Sequence, residues 1–452
     1  MSSNQINRRE FMRRGAGTAA LSAANITILN PGAEGASPRT ASPGDRIRFA
    51  SIGTGVRGCE ILHAALSCPG TEMVAVSDLY DGRLKAAQEH AKKELFTTKD
   101  YRAILDRKDV DAVLIATPDH WHAKLVEDST AAGKDVYCEK PMTHLVEEGF
   151  RIIDAVKRTS RILQVGSQRC SSIVYIKAKE IYDSGYLGQV TAIESSIDRN
   201  DASGAWIYPI PPDASEQTID WNTFLGSAPK RPFDPKRFFR WRCYQDYSEG
   251  LPGDLYVHIL TGIHFITGIT APPLRAAAMG GLFRWREDRD QPDLIWTLYE
   301  YPNFRVSVRC NLNNESPEYT RIFGTKGTIE IKNDLLTVTA QQTEPQPEGY
   351  SIIGWPENLR AEYFKSWAAE HPQPAPGRYT LMDESHLLEA PAGYDYERDH
   401  MNYFMDSVRT RKTPVEDANF GNNTAIACHM ANYSYFNKTI ATWDPAARKI
   451  KG

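Results

Sequence analysis

From residue 46 onward, short apolar runs alternate with stretches in which apolar positions recur every three or four residues, the pattern of buried strands joined by amphipathic helices. Residues 48–52 read as a buried strand, residues 59–66 as a helix and residues 73–77 as a second strand. Residues 111–116, 134–138 and 162–166 continue the series with largely apolar runs, as strands covered on both faces require. This alternation predicts a doubly wound parallel α/β sheet. Past residue 170 the period changes. A helix over 172–184 is followed by two-residue alternation at 190–197, 294–301, 304–310, 328–331 and 336–339, which predicts an α+β domain with a large open, mostly antiparallel sheet.

The 452 residues exceed one ordinary core, so a chain of two domains with a cleft between them is expected. The boundaries fall at 1–45 for a leader and linker, 46–170 for the parallel-sheet domain and 171–452 for the second. Residues 201–250, rich in Trp, Pro and Arg, are too long for a plain connection and are expected to roof the cleft. Their aromatic residues Trp206, Tyr208, Trp221, Phe238, Phe239 and Trp241 would mostly form a small core of their own, a few remaining free to stack on a ring.

Apolar residues make up 41% of the chain, but no apolar run approaches the ~20 residues of a membrane span. A formal charge of −4 argues against nucleic acid as a partner and favours small-molecule chemistry. Seven scattered cysteines form no Cys-x-x-Cys pair and read as mostly buried thiols. At the N-terminus, Arg8-Arg9-Glu10-Phe11 before an Ala/Gly-rich stretch resembles a twin-arginine export signal, which implies the export machinery as a partner and a periplasmic location. With no clean Ala-x-Ala site, both cleavage and retention as a membrane anchor stay open. An enzyme exported folded would have to carry any nucleotide cofactor bound.

The chemistry begins at Gly53-Thr54-Gly55-Val56-Arg57-Gly58, between a strand and a helix. Its first glycine permits the turn, its second lets backbone approach a pyrophosphate, and its third lets helix pack on strand. Asp78 closes the second strand about where a Rossmann domain places the carboxylate that binds ribose hydroxyls, which favours NAD, while nearby Arg83 keeps NADP open. Thr117-Pro118-Asp119-His120-Trp121-His122, Glu139-Lys140-Pro141 and Gln168-Arg169 arrive at the same carboxyl edge, where such sheets bind ligands. Asp254 and His258, four apart, would share one helical face. No third ligand accompanies them, so no metal is expected. His120 and His122 stand evenly between touching a ligand and merely packing, and Tyr396, Asp399, His400 and Asn402 read as the polar surface of a C-terminal helix.

Taken together, the glycine turn, Ala116-Thr117-Pro118, Glu139-Lys140-Pro141 and the Asp254/His258 pair resemble the Gfo/Idh/MocA family of oxidoreductases. The stretch from Asp220-Trp221-Asn222 to Pro229 and on to Phe239-Arg240-Trp241-Arg242 resembles an exported branch of it. The resemblance implies that Lys140 and His258 are the acid/base candidates, with Asp254 holding the imidazole or a neighbouring hydroxyl. The expected cofactor contacts are Gly53, Thr54, Gly55, Arg57, Gly58, Asp78, Arg83, Thr117, Pro118, His122, Glu139, Lys140 and Gln168. It also implies a subunit contact on the open sheet, giving a dimer or tetramer. The leading expectation is a dehydrogenase acting on a ring secondary alcohol of a sugar, glycoside or cyclitol. Behind it stands a glycosidase or lyase that borrows and returns a hydride through tightly bound NAD. A silent binding or sensor protein on the same fold comes third.

Overall fold

The computed structural model describes residues 26–29, 46–287, 289–341, 347, 349–371 and 386–452; Arg8, Arg9 and all of the expected export signal but its last residues lie outside them. After strand β1 (Ile26–Ile28), the first domain is built on β2 (Ile47–Ile52), β3 (Thr71–Ser77), β4 (Phe96–Thr98), β5 (Ala112–Ile115), β6 (Asp135–Glu139) and β7 (Leu163–Gly166). They form a six-stranded sheet in the order β4-β3-β2-β5-β6-β7, every pair parallel. The order reverses at β2 and β5, and there a doubly wound sheet opens its ligand crevice. Helix α1 (Val56–Ser67) starts three residues earlier than its apolar period predicts, because the glycine turn feeds directly into it. Helix α2 (Asp119–Ala131) leaves β5 on the other side of the crevice.

Helix α3 (Ile173–Asp183) leads into a mixed sheet of eleven strands. Its members are β8 (Val190–Asp198), β9 (Arg275–Gly281), β10 (Leu294–Glu300), β11 (Arg305–Asn311), β12 (Tyr319–Gly324), β13 (Gly327–Lys332), β14 (Leu335–Ala340), β15 (His386–Glu389), β16 (Ala441–Asp444) and β17 (Lys449–Lys451), with β1 on the far edge. Only β8/β11 and β1/β15 pair in parallel. One face packs on α4 (Val257–Thr267) and α6 (Ala418–Asn437), whose buried residues join those of the central strands in the largest core. Along β10 and β11 burial alternates strictly, the signature of a sheet covered on one side. The other face leaves Met279, Trp296 and Leu298 exposed.

Two departures from expectation bear on the site. In helix α5 (Tyr396–Thr410), whose apolar residues Met401, Phe404 and Met405 complete the core on one side of the parallel sheet, His400 does not belong to the polar surface. His400 is buried, its ring nitrogens against Ser171 Oγ at 2.8 Å and the Val165 carbonyl at 3.1 Å. Secondly, Asp254 lies in a π-helical turn, Pro252–Tyr256, rather than in the α-helix that its spacing from His258 predicts. Such a turn is a frequent mark of a functional position.

Candidate active site

At the crevice, local sequence accounts for the backbone. Gly53 has φ +86°, and a Cβ on it would collide with the Ala116 carbonyl. A Cβ on Gly58 would run into the Gly53 carbonyl, so the third glycine serves helix packing as expected. Gly55 caps α1 with no side chain bonded to the free N–H groups, and the helix has no acidic residue in its first turn. An anion therefore meets unspent donors and a favourable dipole. The groove beyond, about 870 Å³, is bordered by Gly53, Gly55, Arg57, Asp78, Arg83, Thr117 and Pro118. Thr117 Oγ1 is buried without a partner among the described residues. This cradle of close backbone, free N–H groups and an orphaned hydroxyl fits a dinucleotide, which Gly53–Gly58 would hold at its pyrophosphate and Asp78 at a ribose. The Asp78 carboxylate accepts bonds from the Thr54 and Tyr80 amides at 2.8 and 3.0 Å, with Arg83 3.8 Å away.

Not every expected contact reaches the groove. Thr54 is buried behind the turn, its hydroxyl against Asp78 and the Arg83 carbonyl. Both ring nitrogens of His122 lie against backbone carbonyls, of Pro141 at 2.7 Å and Thr117 at 3.0 Å, so this ring braces two site loops instead of touching the ligand. Burial keeps it below the usual histidine range. Glu139 is likewise interior, fixing Arg57 Nε at 2.9 Å and the Gln168 amide at 3.4 Å. His120 and Trp121 both bond the Phe224 carbonyl and so bolt the roof to α2.

The roof closes the groove as expected. Phe224, Phe238, Phe239 and Trp241 border it, and Trp221, Phe224, Phe238 and Tyr247 pack into the anticipated small core. Residues 213–220 are stapled to residues 79–81, just after Asp78, and to Lys99 after β4: Tyr80 Oη donates to Asp213 at 2.5 Å, the Asp81 amide and Lys99 Nζ to the Thr218 carbonyl, and the Asp220 amide to the Leu79 carbonyl.

A second cavity, about 960 Å³, adjoins the groove; Val56, Arg57, Tyr208 and Arg242 border both. Here Lys140, Asp254 and His258 meet, together with Gln168. Lys140, followed by a cis bond to Pro141, donates to the Asp254 carbonyl at 2.7 Å and to its carboxylate at 3.0 Å. Asp254 does not hold the imidazole. Its carboxylate is engaged by Lys140 and by Arg242 Nε at 2.9 Å, and the His258 ring has no hydrogen bond among the described residues. Burial pushes the Asp254 carboxyl up, but the Lys140 and Arg242 charges outweigh it and hold it far below the carboxylate range. Burial, reinforced by Lys140 and Arg169, holds His258 well below the usual histidine value. The result is a neutral imidazole beside a fixed ammonium, a proton acceptor next to a donor of positive charge.

Sequence reasoning did not assign Arg242 a role, although its quartet was noted, nor Tyr396 and Glu397, which border the cavity where α5 comes back to it. Glu397 binds Arg57 at 2.8 Å. No cluster of metal-ligating side chains occurs among the described residues.

The parallel sheet with its glycine cradle, the open sheet beside it, and the turn before α4 that brings Asp254 to Lys140 define a class: the chain has the fold of the Gfo/Idh/MocA oxidoreductases. Residues 47–167 match the family described as "Oxidoreductase family, NAD-binding Rossmann fold". Over 177 residues, 35% of the chain, it is 33% identical to alpha-N-acetylgalactosaminidase of Shewanella oneidensis and 32% identical to glycosyl hydrolase family 109 protein 1 of Shewanella sp. strain ANA-3. The match spans 38% of the length of each of those proteins. Among solved structures it is similar to levoglucosan dehydrogenase in complex with NADH and levoglucosan (18% identity, 88% of this chain and 99% of that one, TM-score 0.62). It is equally similar to aldose-aldose oxidoreductase of Caulobacter crescentus (18% identity, 88% and 99%, TM-score 0.62), so the fold extends over most of the chain.

Proposed function

We propose that this protein cleaves a glycosidic bond with NAD as a resident, recycled cofactor. Bound NAD supplies the acceptor for a hydride from a ring carbon and the donor that later restores it. Between those events the ring ketone makes the neighbouring C–H acidic; loss of that proton expels the aglycone as an alcohol, water adds at the anomeric carbon, and the proton returns. Glycoside and water give sugar and alcohol, with no net redox change. Lys140 would hold the hydroxyl oxygen of the oxidised carbon as it gains negative charge, neutral His258 would take the hydroxyl proton, and Asp254, with Arg242, fixes the Lys140 ammonium.

The observation that carries this reading is the Lys140–Asp254–His258 cluster opening on a cavity that shares a wall with the dinucleotide groove. The similarity to an alpha-N-acetylgalactosaminidase ranks it above the plain dehydrogenase, and the stapled roof suits a cofactor that stays. In the test, aryl glycosides are supplied in heavy water to protein purified without added nucleotide. Aglycone release with deuterium in the sugar and no accumulating NADH is expected; stoichiometric NADH would return the protein to the dehydrogenases. The exposed Met279, Trp296 and Leu298 mark the sheet face through which we expect a homo-oligomer. Sedimentation should show it, and Trp296→Glu should dissociate it. Export through Arg8-Arg9 belongs to the same proposal and would be read by cell fractionation.

A further inference from the structure

The substrate-side cavity is bordered by five cations, Arg57, Lys140, Arg169, Arg199 and Arg242, and by four carboxylates. Each carboxylate has a cation. Glu60 and Glu397 bind Arg57, Glu318 binds Arg169, and Asp254 binds Lys140 and Arg242. Arg199 differs. Among the described residues its guanidinium makes no ion pair and no hydrogen bond, although it stands half-buried at this wall. Its backbone is fixed, for it directly follows β8 and its amide donates to the Asn311 carbonyl at 2.8 Å. The adjacent Asp198 is occupied by Arg309 and Ser316. Arg242 spends only Nε on Asp254, and neither terminal nitrogen has a partner among the described residues. The charges of Arg242 and Arg199 both act on the Tyr208 hydroxyl.

A neutral sugar gains little from an unpaired guanidinium, whereas leaving one unpaired in a half-closed cavity carries a desolvation cost. A planar fork of N–H donors matches a carboxylate or a sulfate. We propose that the glycosides accepted here carry an anionic substituent on the sugar, a carboxylate or a sulfate, and that Arg199 binds it. This rests on the reading of the cavity as the sugar site. Arg199 then selects the substrate, while Lys140 and His258 act on the ring.

The test measures binding and, separately, aglycone release, with the full chain carrying its cofactor. 4-Nitrophenyl glucuronide, the 6-sulfate of 4-nitrophenyl glucoside and 4-nitrophenyl glucoside itself are titrated calorimetrically in both anomers. At least one charged ligand should bind tenfold or more tightly than the neutral one, and which one does so distinguishes carboxylate from sulfate. Arg199→Gln should remove that preference, leave neutral binding within about twofold and keep the melting temperature, while Arg199→Lys should restore part of it. Equal affinities in the wild type, or a preference that survives in Arg199→Gln, would overturn the assignment. Charged ligands that bind selectively but never lose their aglycone would sink the glycosidase reading and leave Arg199 in place. Neutral glycosides that are cleaved with no charge preference would do the reverse.

Discussion

Lys140 and Asp254 form a buried pair whose two halves should fail differently. Lys140→Ala removes the charge at the reacting oxygen, and kcat should fall by roughly 10²–10⁴ with cofactor content unchanged. Asp254→Ala leaves Lys140 and Arg242 facing each other in a dry site, and should also cost about 3–5 kcal/mol of stability, seen in denaturant unfolding. Equal stability of the two variants would show that Arg242 does not depend on Asp254. At this scale the sequence was half legible. Spacing and context singled out Lys140, Asp254 and His258, because strand ends and an i, i+4 pair leave a local trace. Arg242 left none, since what makes it matter is where a fifty-residue irregular segment folds back. For His122 and Glu139 the position was right but the direction was not: each points behind the crevice, and period alone does not tell the two sides of a loop apart.

Among elements, the parallel strands were readable because burial on both faces makes them continuous apolar runs. Strand β9, Arg-Ala-Ala-Ala-Met-Gly-Gly, was not, since alanine and glycine are poor strand formers and only pairing with β10 and β16 holds it. The π-helical turn was missed for a similar reason, a 3.6-residue period being all that sequence spacing tests. The roof was visible as an overlong loop, but its staples were not. Tyr80 to Asp213 is a hydrogen bond to a charged group, worth about 1.5–3 kcal/mol. Tyr80→Phe should therefore speed NAD release roughly tenfold or more in a chase with labelled nucleotide, with the groove otherwise intact. An unchanged release rate would mean the roof is not what retains the cofactor.

For the whole molecule, buried histidines set the acid response. Burial lowers His120 to about 3 and His264 and His400 to about 4, and holds His122 and His258 down as well. Their folded values lie below the unfolded one near 6.5, so as the pH falls through about 6.5 the unfolded chain takes up protons the native one refuses, and stability drops. Three buried groups oppose this, the first being His429, which burial lowers but the Glu249 carboxylate raises above the usual histidine value. Asp119, raised to about 7 by burial, and Glu416, raised by burial, hold protons in the native state that the unfolded chain has released. Five against three should leave a melting temperature that declines from pH 7 to 5; a flat profile would contradict the burial of these rings.

The roof carries one more consequence. With residues 213–220 tied to the segment after Asp78, and the groove and cavity meeting at Val56, Arg57, Tyr208 and Arg242, a sugar in the cavity would meet only the nicotinamide end of a nucleotide held in the groove. On the proposed reading, a substrate would come and go through its own cavity while the nucleotide stayed beneath the aromatic cover. Each subunit would then own a single pair of electrons, lent and recovered within one catalytic cycle, and a molecule caught with the loan outstanding would be silent until the ketone came back.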